Sequence, residues 1–221
     1  MNLVIDNQGI NVSFERVPVL VLENPQVMTE VVTCLVNASS GDEKDMVLSE
    51  ENEPVSFQKN AELILSPLLI NLNDSKIIKK LYKNLQDDAQ EYDEIKAHVN
   101  TQMVQLFETL QAHSAYAEIK YDLEIDWENI FKMYHIGIDD EEADITQRVI
   151  SLIKILAGLM HIRLICFVNL KSFLTNESVM EIYKMAEYYG VNLLLVENRE
   201  YEKIETEQIY IVDMDRCVII K

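Results

Sequence analysis

The chain has 221 residues, 48% of them hydrophobic, and a formal net charge of −19. That length supports one sizeable domain, or one with an insertion, and so much apolar matter excludes wholesale disorder. The acidity argues against an ordinary nucleic-acid binder, whose phosphate contacts are made by Lys and Arg, and favours a protein that attracts cations.

Residues 3–5, 10–14 and 17–22 read as strands, with turn chemistry at 7–9. The run VPVLVL at 17–22 has the apolar character of a buried strand, and Glu23-Asn24-Pro25-Gln26 follows it. Asn24 predicts a helix cap with Pro25 in the first turn, and Val27, Val31, Cys34 and Leu35 fall on one helical face. A strand, a short turn and a helix in this position are where a nucleotide-binding fold carries its phosphate loop. Such a loop needs glycines, so that backbone amides can approach phosphate, and a Lys and a Ser or Thr for phosphate and Mg²⁺. This turn has none of them and places a carboxylate where an anion would bind. The skeleton is that of a nucleotide enzyme without its chemistry.

Residues 41–60 are acidic and polar, read as short edge strands and exposed loop. The apolar run 63–72 contains Pro67 and is at most a strand ended there. From 74 to 112 there is neither Gly nor Pro, and apolar residues recur at helical spacing. Two long helices are predicted, with a break between 86 and 92. Residues 116–125 alternate like a strand, and 127–134 form a short helix closed by Gly137. The last third predicts helices over 144–160 and 176–189, the second ended by Gly190. Largely apolar strands lie at 162–170 and 191–196, then strands 209–213 and 217–220 around a turn at Asp213-Met214-Asp215. The expected architecture is an α/β head of residues 1–70 and 137–221, with a largely parallel sheet, and an inserted helical leg of residues 71–136.

Cys34, Cys166 and Cys217 are an odd number in apolar settings and read as reduced core residues of a cytoplasmic protein. The N-terminal segment lacks the pattern of a signal peptide, and no apolar run is long enough to span a bilayer. The four histidines, His98, His113, His135 and His161, form no metal or triad pattern, and there is no Gly-x-Ser-x-Gly elbow.

Two clusters could carry chemistry. In YAEIKYDLEIDWE an extended backbone would put Asp122, Glu124 and Asp126 on one face, with Glu118 and Glu128 at the same parity, and Lys120 beside them. Carboxylates so close repel unless solvated or shared by a cation, and hard oxygen ligands suit Ca²⁺ or Mg²⁺. It is not an EF-hand, since Trp127 and Met133 stand at the sixth and twelfth positions. The alternative is a solvated acidic edge in which Asp126 caps the following helix. In SKIIKKLYK, Lys76, Lys79, Lys80 and Lys83 share one helical face, while Ile77, Ile78, Leu81 and Leu85 occupy another. That stripe is either the solvated side of an amphipathic helix or a contact for a polyanion.

The tail, IRLICFVNLKSFLTNESV, then VNLLLVENRE, then QIYIVDMDRCVII, resembles the Csn-two family, the spacer-acquisition proteins of type II-A CRISPR–Cas systems. The glycine-free turn after residue 22, the long helices and DLEIDWENIFKMYHIGI follow that family's order and spacing. The resemblance implies a degenerate P-loop-NTPase-like head with a helical leg, no enzymatic activity, and a homotetrameric ring that threads linear double-stranded DNA from its ends. It implies Ca²⁺ bound by the acidic segment 118–128, DNA held by the leg lysines, and partners among the other adaptation proteins and the effector nuclease. A ring can gather Lys and Arg inside while its outer surface stays acidic, which reconciles DNA binding with the net charge. The competing expectation is a metal- or nucleotide-dependent phosphohydrolase using Asp122, Glu124 and Asp126.

Overall fold

The computed structural model describes residues 1–113, 120–140 and 143–221. The chain divides into two compact units, one of residues 1–72 with 140–221, the other of residues 73–139.

The first unit is mixed α/β and holds two sheets. Strands β1 (Asn2–Ile5), β2 (Ile10–Ser13), β4 (Met46–Glu50) and β5 (Glu53–Val55) pair antiparallel in the order β2-β1-β4-β5. Strands β3 (Val17–Leu22), β6 (Ala61–Ile64), β7 (Leu164–Val168), β8 (Asn192–Glu197), β9 (Glu207–Val212) and β10 (Val218–Ile220) form the second, in the order β10-β9-β3-β8-β7-β6. It is parallel except for β10, which returns antiparallel on β9. The hairpin between them is held by Asp213 Oδ1, which accepts from Asp215 N at 2.9 Å and Cys217 N at 2.8 Å, and it leaves Cys217, expected in the core, exposed.

Pro18 lies in a central strand, where a missing N–H usually breaks a ladder. Here pairing with β8 begins at Val19, one residue later, while Val17 N donates to Thr206 O on the β9 side. No ladder bond is forfeited.

Burial follows the alternation of the strands. One face of the large sheet, with Leu20, Leu22, Cys166, Val168, Leu194, Val196, Tyr210 and Val212, packs in one core with Leu3, Ile5, Ile10 and Val12 of the small sheet. Helix α1 (Pro25–Ser39) adds Val27, Val31, Leu35 and Ala38, and the four-residue helix α2 (Phe57–Asn60) adds Phe57. Alternating residues such as Val19, Val21, Ile165, Phe167, Leu193, Leu195, Ile209 and Ile211 are buried on the opposite face. That side carries α6 (Ile145–Met160), started by an Asp144–Gln147 capping box, and α7 (Asn176–Tyr188).

The second unit is helical: α3 (Ser75–Asp88), a 3₁₀ turn, α4 (Asp93–His113) and α5 (Trp127–Met133). Tyr82 and Phe131 stack at 5.7 Å, Trp127 lies 6.5 Å from Phe131, and Tyr82 donates to Ile136 O at 3.0 Å. The unit's first and last segments are joined by Asn73, whose side chain accepts from Ile138 N at 2.8 Å and donates to Ile138 O at 2.9 Å. His135, at φ 50°, is the left-handed residue that ends α5, two positions before the expected Gly137. Gly137 serves the Asn73 clamp instead, because a Cβ there would lie 2.6 Å from Asn73 Oδ1. Among the described residues no helix is long and apolar enough to cross a membrane.

Candidate functional site

The four lysines lie on α3, capped by Asp74, whose side chain accepts from Lys76 N at 2.8 Å. At 3.6 residues per turn they span an arc of roughly 100°. Lys76, Lys79 and Lys83 are exposed and Lys80 is half-buried, while Ile77 and Tyr82 are buried. Lys79, Lys80 and Lys83 make no ion pair among the described residues, so their charge is available to an anion. Ile78, Leu81 and Leu85, expected on the apolar face, are half-buried.

The acidic segment is only partly described, because Glu118 lies outside the described residues. From 120 to 126 the backbone is irregular and bends at Leu123 and Glu124, so strand parity does not line up Asp122, Glu124 and Asp126. The bend is tied to α4, where Asn100 Nδ2 donates to Leu123 O at 2.7 Å and Phe107 meets Tyr121 at 5.3 Å. Asp122 and Glu124 are exposed. Asp126 caps α5: Oδ1 accepts from Glu128 N at 3.0 Å and Asn129 N at 3.3 Å, and Oδ2 from Asn129 Nδ2 at 2.7 Å. Glu128 pairs with Lys132 at 2.6 Å and raises its pKa. Among the described residues no group of three or more His, Cys, Asp or Glu could hold a metal ion. A cation here would have to gather Asp122 and Glu124 and compete for Asp126 and Glu128.

In the first unit, the turn after β3 already uses its own donors. Asn24 Oδ1 accepts from Gln26 N at 2.9 Å and Val27 N at 3.4 Å, Asn24 Nδ2 donates to Met214 O at 2.9 Å, and Glu23 N donates to Val212 O at 3.0 Å. The residue after β7 is Asn169, at φ 56°, with its Oδ1 accepting from Asn198 N at 3.2 Å.

A family model described as CRISPR-associated protein (Cas_Csn2) matches residues 38–216, which take in both units. The chain belongs to the Cas_Csn2 family. Membership makes this a CRISPR-associated protein of antiviral defence and supports a role in adaptation. Among solved structures, the ADP conformation of MJ1267, an ATP-binding cassette of an ABC transporter, is similar over 92% of this chain and 79% of that one. Identity is 12% and the TM-score 0.45, a likeness on which no argument rests.

This Cas_Csn2 chain also contains a charged cluster that sequence reasoning missed. Lys171, Glu197 and Glu207 are all buried in the core under α7. Lys171 Nζ pairs with Glu207 Oε1 at 2.6 Å, and the same oxygen accepts from Tyr183 OH at 2.6 Å. Glu207 Oε2 accepts from Ile204 N at 2.9 Å, and Glu197 Oε1 from Lys171 N at 2.9 Å. Glu197 Oε2 has no hydrogen-bond partner. Burial pushes the Glu197 carboxyl up to about 7, and burial, then Glu207, pushes the Tyr183 hydroxyl well above its usual range. The available signal was a Glu ending the apolar run LLLVE and a Lys inside FVNLKSF.

Proposed function

We propose that the chain is a non-enzymatic DNA-end-binding protein of CRISPR spacer acquisition. Four copies form a ring that accepts linear double-stranded DNA from its ends and holds the backbone without reading bases. The observation that carries this reading is the α3 stripe: Lys79, Lys80 and Lys83 share one face and have no ion pair among the described residues of a chain charged −19. Local potential, rather than net charge, decides phosphate contact. Backbone contacts alone give affinity without sequence preference.

Assembly is supported by α4, which has no buried residue. Ile95, Val99, Leu106 and Leu110 are exposed on it, within an arc of roughly 60° at 3.6 residues per turn. Ca²⁺ would draw Asp122 and Glu124 together with Asp126, Glu128 and Glu118, backbone carbonyls and water completing a shell of about six to eight oxygens. The parallel sheet with α1 following β3 supports a P-loop-like scaffold. Its glycine-free turn, with the first amides of α1 capped by Asn24, supports the loss of nucleotide chemistry. The machinery partners are the other adaptation proteins and the effector nuclease of the same system.

Gel mobility of linear against covalently closed DNA, with and without EDTA, tests the reading alongside light scattering. Retardation of linear DNA only, a mass of four chains, and loss of binding in Lys79→Glu/Lys80→Glu/Lys83→Glu are expected. Equal retention of closed circles, a stable monomer, or turnover of ATP or DNA would overturn it.

A further inference from the structure

The cluster under α7 holds one ammonium for two buried carboxylates. Glu197 is fully buried at the end of β8, where β3 offers only Val21 beside it. The ionisable groups facing it are Lys171 after β7, Glu207 on β9, Tyr183 on α7 and Arg199 in the following segment. Glu207 takes the Lys171 ammonium, the Tyr183 hydroxyl and the Ile204 amide. Glu197 receives only the Lys171 backbone amide and keeps one oxygen unpartnered. A neutral carboxylic acid can stay in that setting. A carboxylate cannot stay there without another donor.

The same lysine reaches the segment 198–206, donating from Nζ to Glu202 O at 3.4 Å. The middle of the segment is also tied by Ser172 Oγ with Tyr201 OH at 2.7 Å, Asn176 Nδ2 to Glu202 Oε2 at 3.0 Å, and Ile204 N to Glu207. Its flanks are held separately by Asn198 N to Asn169 Oδ1, Val17 N to Thr206 O, and the bonds of Glu200 and Lys203 with Lys221. The ties at Tyr201, Glu202 O and Ile204 N thus run to Lys171, its neighbour Ser172 or its partner Glu207.

We propose that Lys171, Glu197 and Glu207 form a proton-gated clamp on residues 201–204. With Glu197 protonated, the ammonium rests on Glu207 and the segment is fastened. When Glu197 releases its proton to solvent, its carboxylate draws the Lys171 ammonium away from Glu207 and Glu202 O, and the segment loosens. The transition falls near neutrality, because burial has moved the Glu197 carboxyl there. This device is independent of DNA binding and of the oligomeric state.

Hydrogen exchange of the 201–204 amides, corrected for the intrinsic pH dependence of exchange, tests the clamp between about pH 5 and about pH 8. One linked proton makes protection of the segment fall by up to about tenfold per pH unit below the transition and level off above it, while amides in β3 and α1 keep theirs. Glu197→Gln, which keeps an acceptor for Lys171 N and cannot ionise, should remove that fall. A flat wild-type profile, or an equal fall in Glu197→Gln, overturns the proposal. Should that variant fail to fold, carbon NMR titration of the wild-type side chain decides: a Glu197 midpoint near the ordinary 4.5 overturns it, and one near 7 that coincides with the end of the fall in protection upholds it.

Discussion

In the sheet unit β3, β7, β8 and β9 are buried almost end to end, whereas α4 in the helical unit runs for 21 residues and buries none of its side chains. The strands are mostly apolar, whereas in α4 apolar residues are fewer than half and recur among polar ones. In the first, apolar matter is spent on a core with two faces; in the second, part of it lies uncommitted on the surface. Stability is concentrated in one unit, and the capacity to bind another surface in the other.

The largest expected effect sits in the sheet unit. Lys171→Met leaves the Glu207 carboxylate buried without its ammonium, a loss of about 3–5 kcal/mol that calorimetry would read as a lower Tm. A loss below about 1 kcal/mol, the ordinary size for a point substitution, would contradict that role for the ammonium. Next, Leu20→Ala, at a fully buried position, should cost about 2–5 kcal/mol. Leu106→Ala on α4 should stay within about 0.5 kcal/mol in a monomer. Denaturant melts giving equal losses would erase the contrast between units, and a Leu106→Ala loss that grows with protein concentration would sharpen it into an interface.

A third expected effect is on pH dependence. The unfolded Glu197 carboxyl ionises near 4.5 and the folded one near 7, so between these values the folded chain binds the proton that the unfolded chain has released. Stability therefore falls as pH rises through that window, by on the order of 3 kcal/mol, and levels off above it. Glu197→Gln should lack this component and melt higher than wild type at about pH 8; identical stability curves would remove Glu197 as its source. A smaller effect belongs to the α5 cap of the helical unit. Asp126→Ala removes the α5 cap and should cost about 1 kcal/mol by circular dichroism melts, and an unchanged melt would show the cap to be without weight.

What could be read in advance follows from how local each cause is. The strand at 17–22, the Asn24 cap, the helix of 176–188 and the apolar strands β7 and β8 depend on neighbouring residues, and each lies where spacing and capping chemistry put it. The alternation over 116–125 failed over its described part because contacts from α4, through Asn100 and Phe107, bend the chain at 123–124. His135 took the helix-ending conformation because Gly137 was already required opposite Asn73. The lysine face was legible, since four lysines on one helix need only the helix. The buried Lys171–Glu207 pair was not, because its members are 36 positions apart and each sits in a sequence that also suits a surface loop.

The Asn73 clamp also bears on the order of folding. Strands β6 and β7 lie side by side, yet the partners Ala61 and Leu164 are separated by the entire helical excursion. Closing so long a loop is slow and entropically costly, and the cost grows with the logarithm of the chain enclosed. Once Asn73 grips Ile138, which lies 65 positions along the chain, those residues no longer count toward the loop. The search that brings β6 to β7 then involves only short tethers, a saving of roughly 1 kcal/mol in closure entropy. One asparagine side chain thus lets the helices condense first as a local knot of structure and hands the sheet a shortened thread.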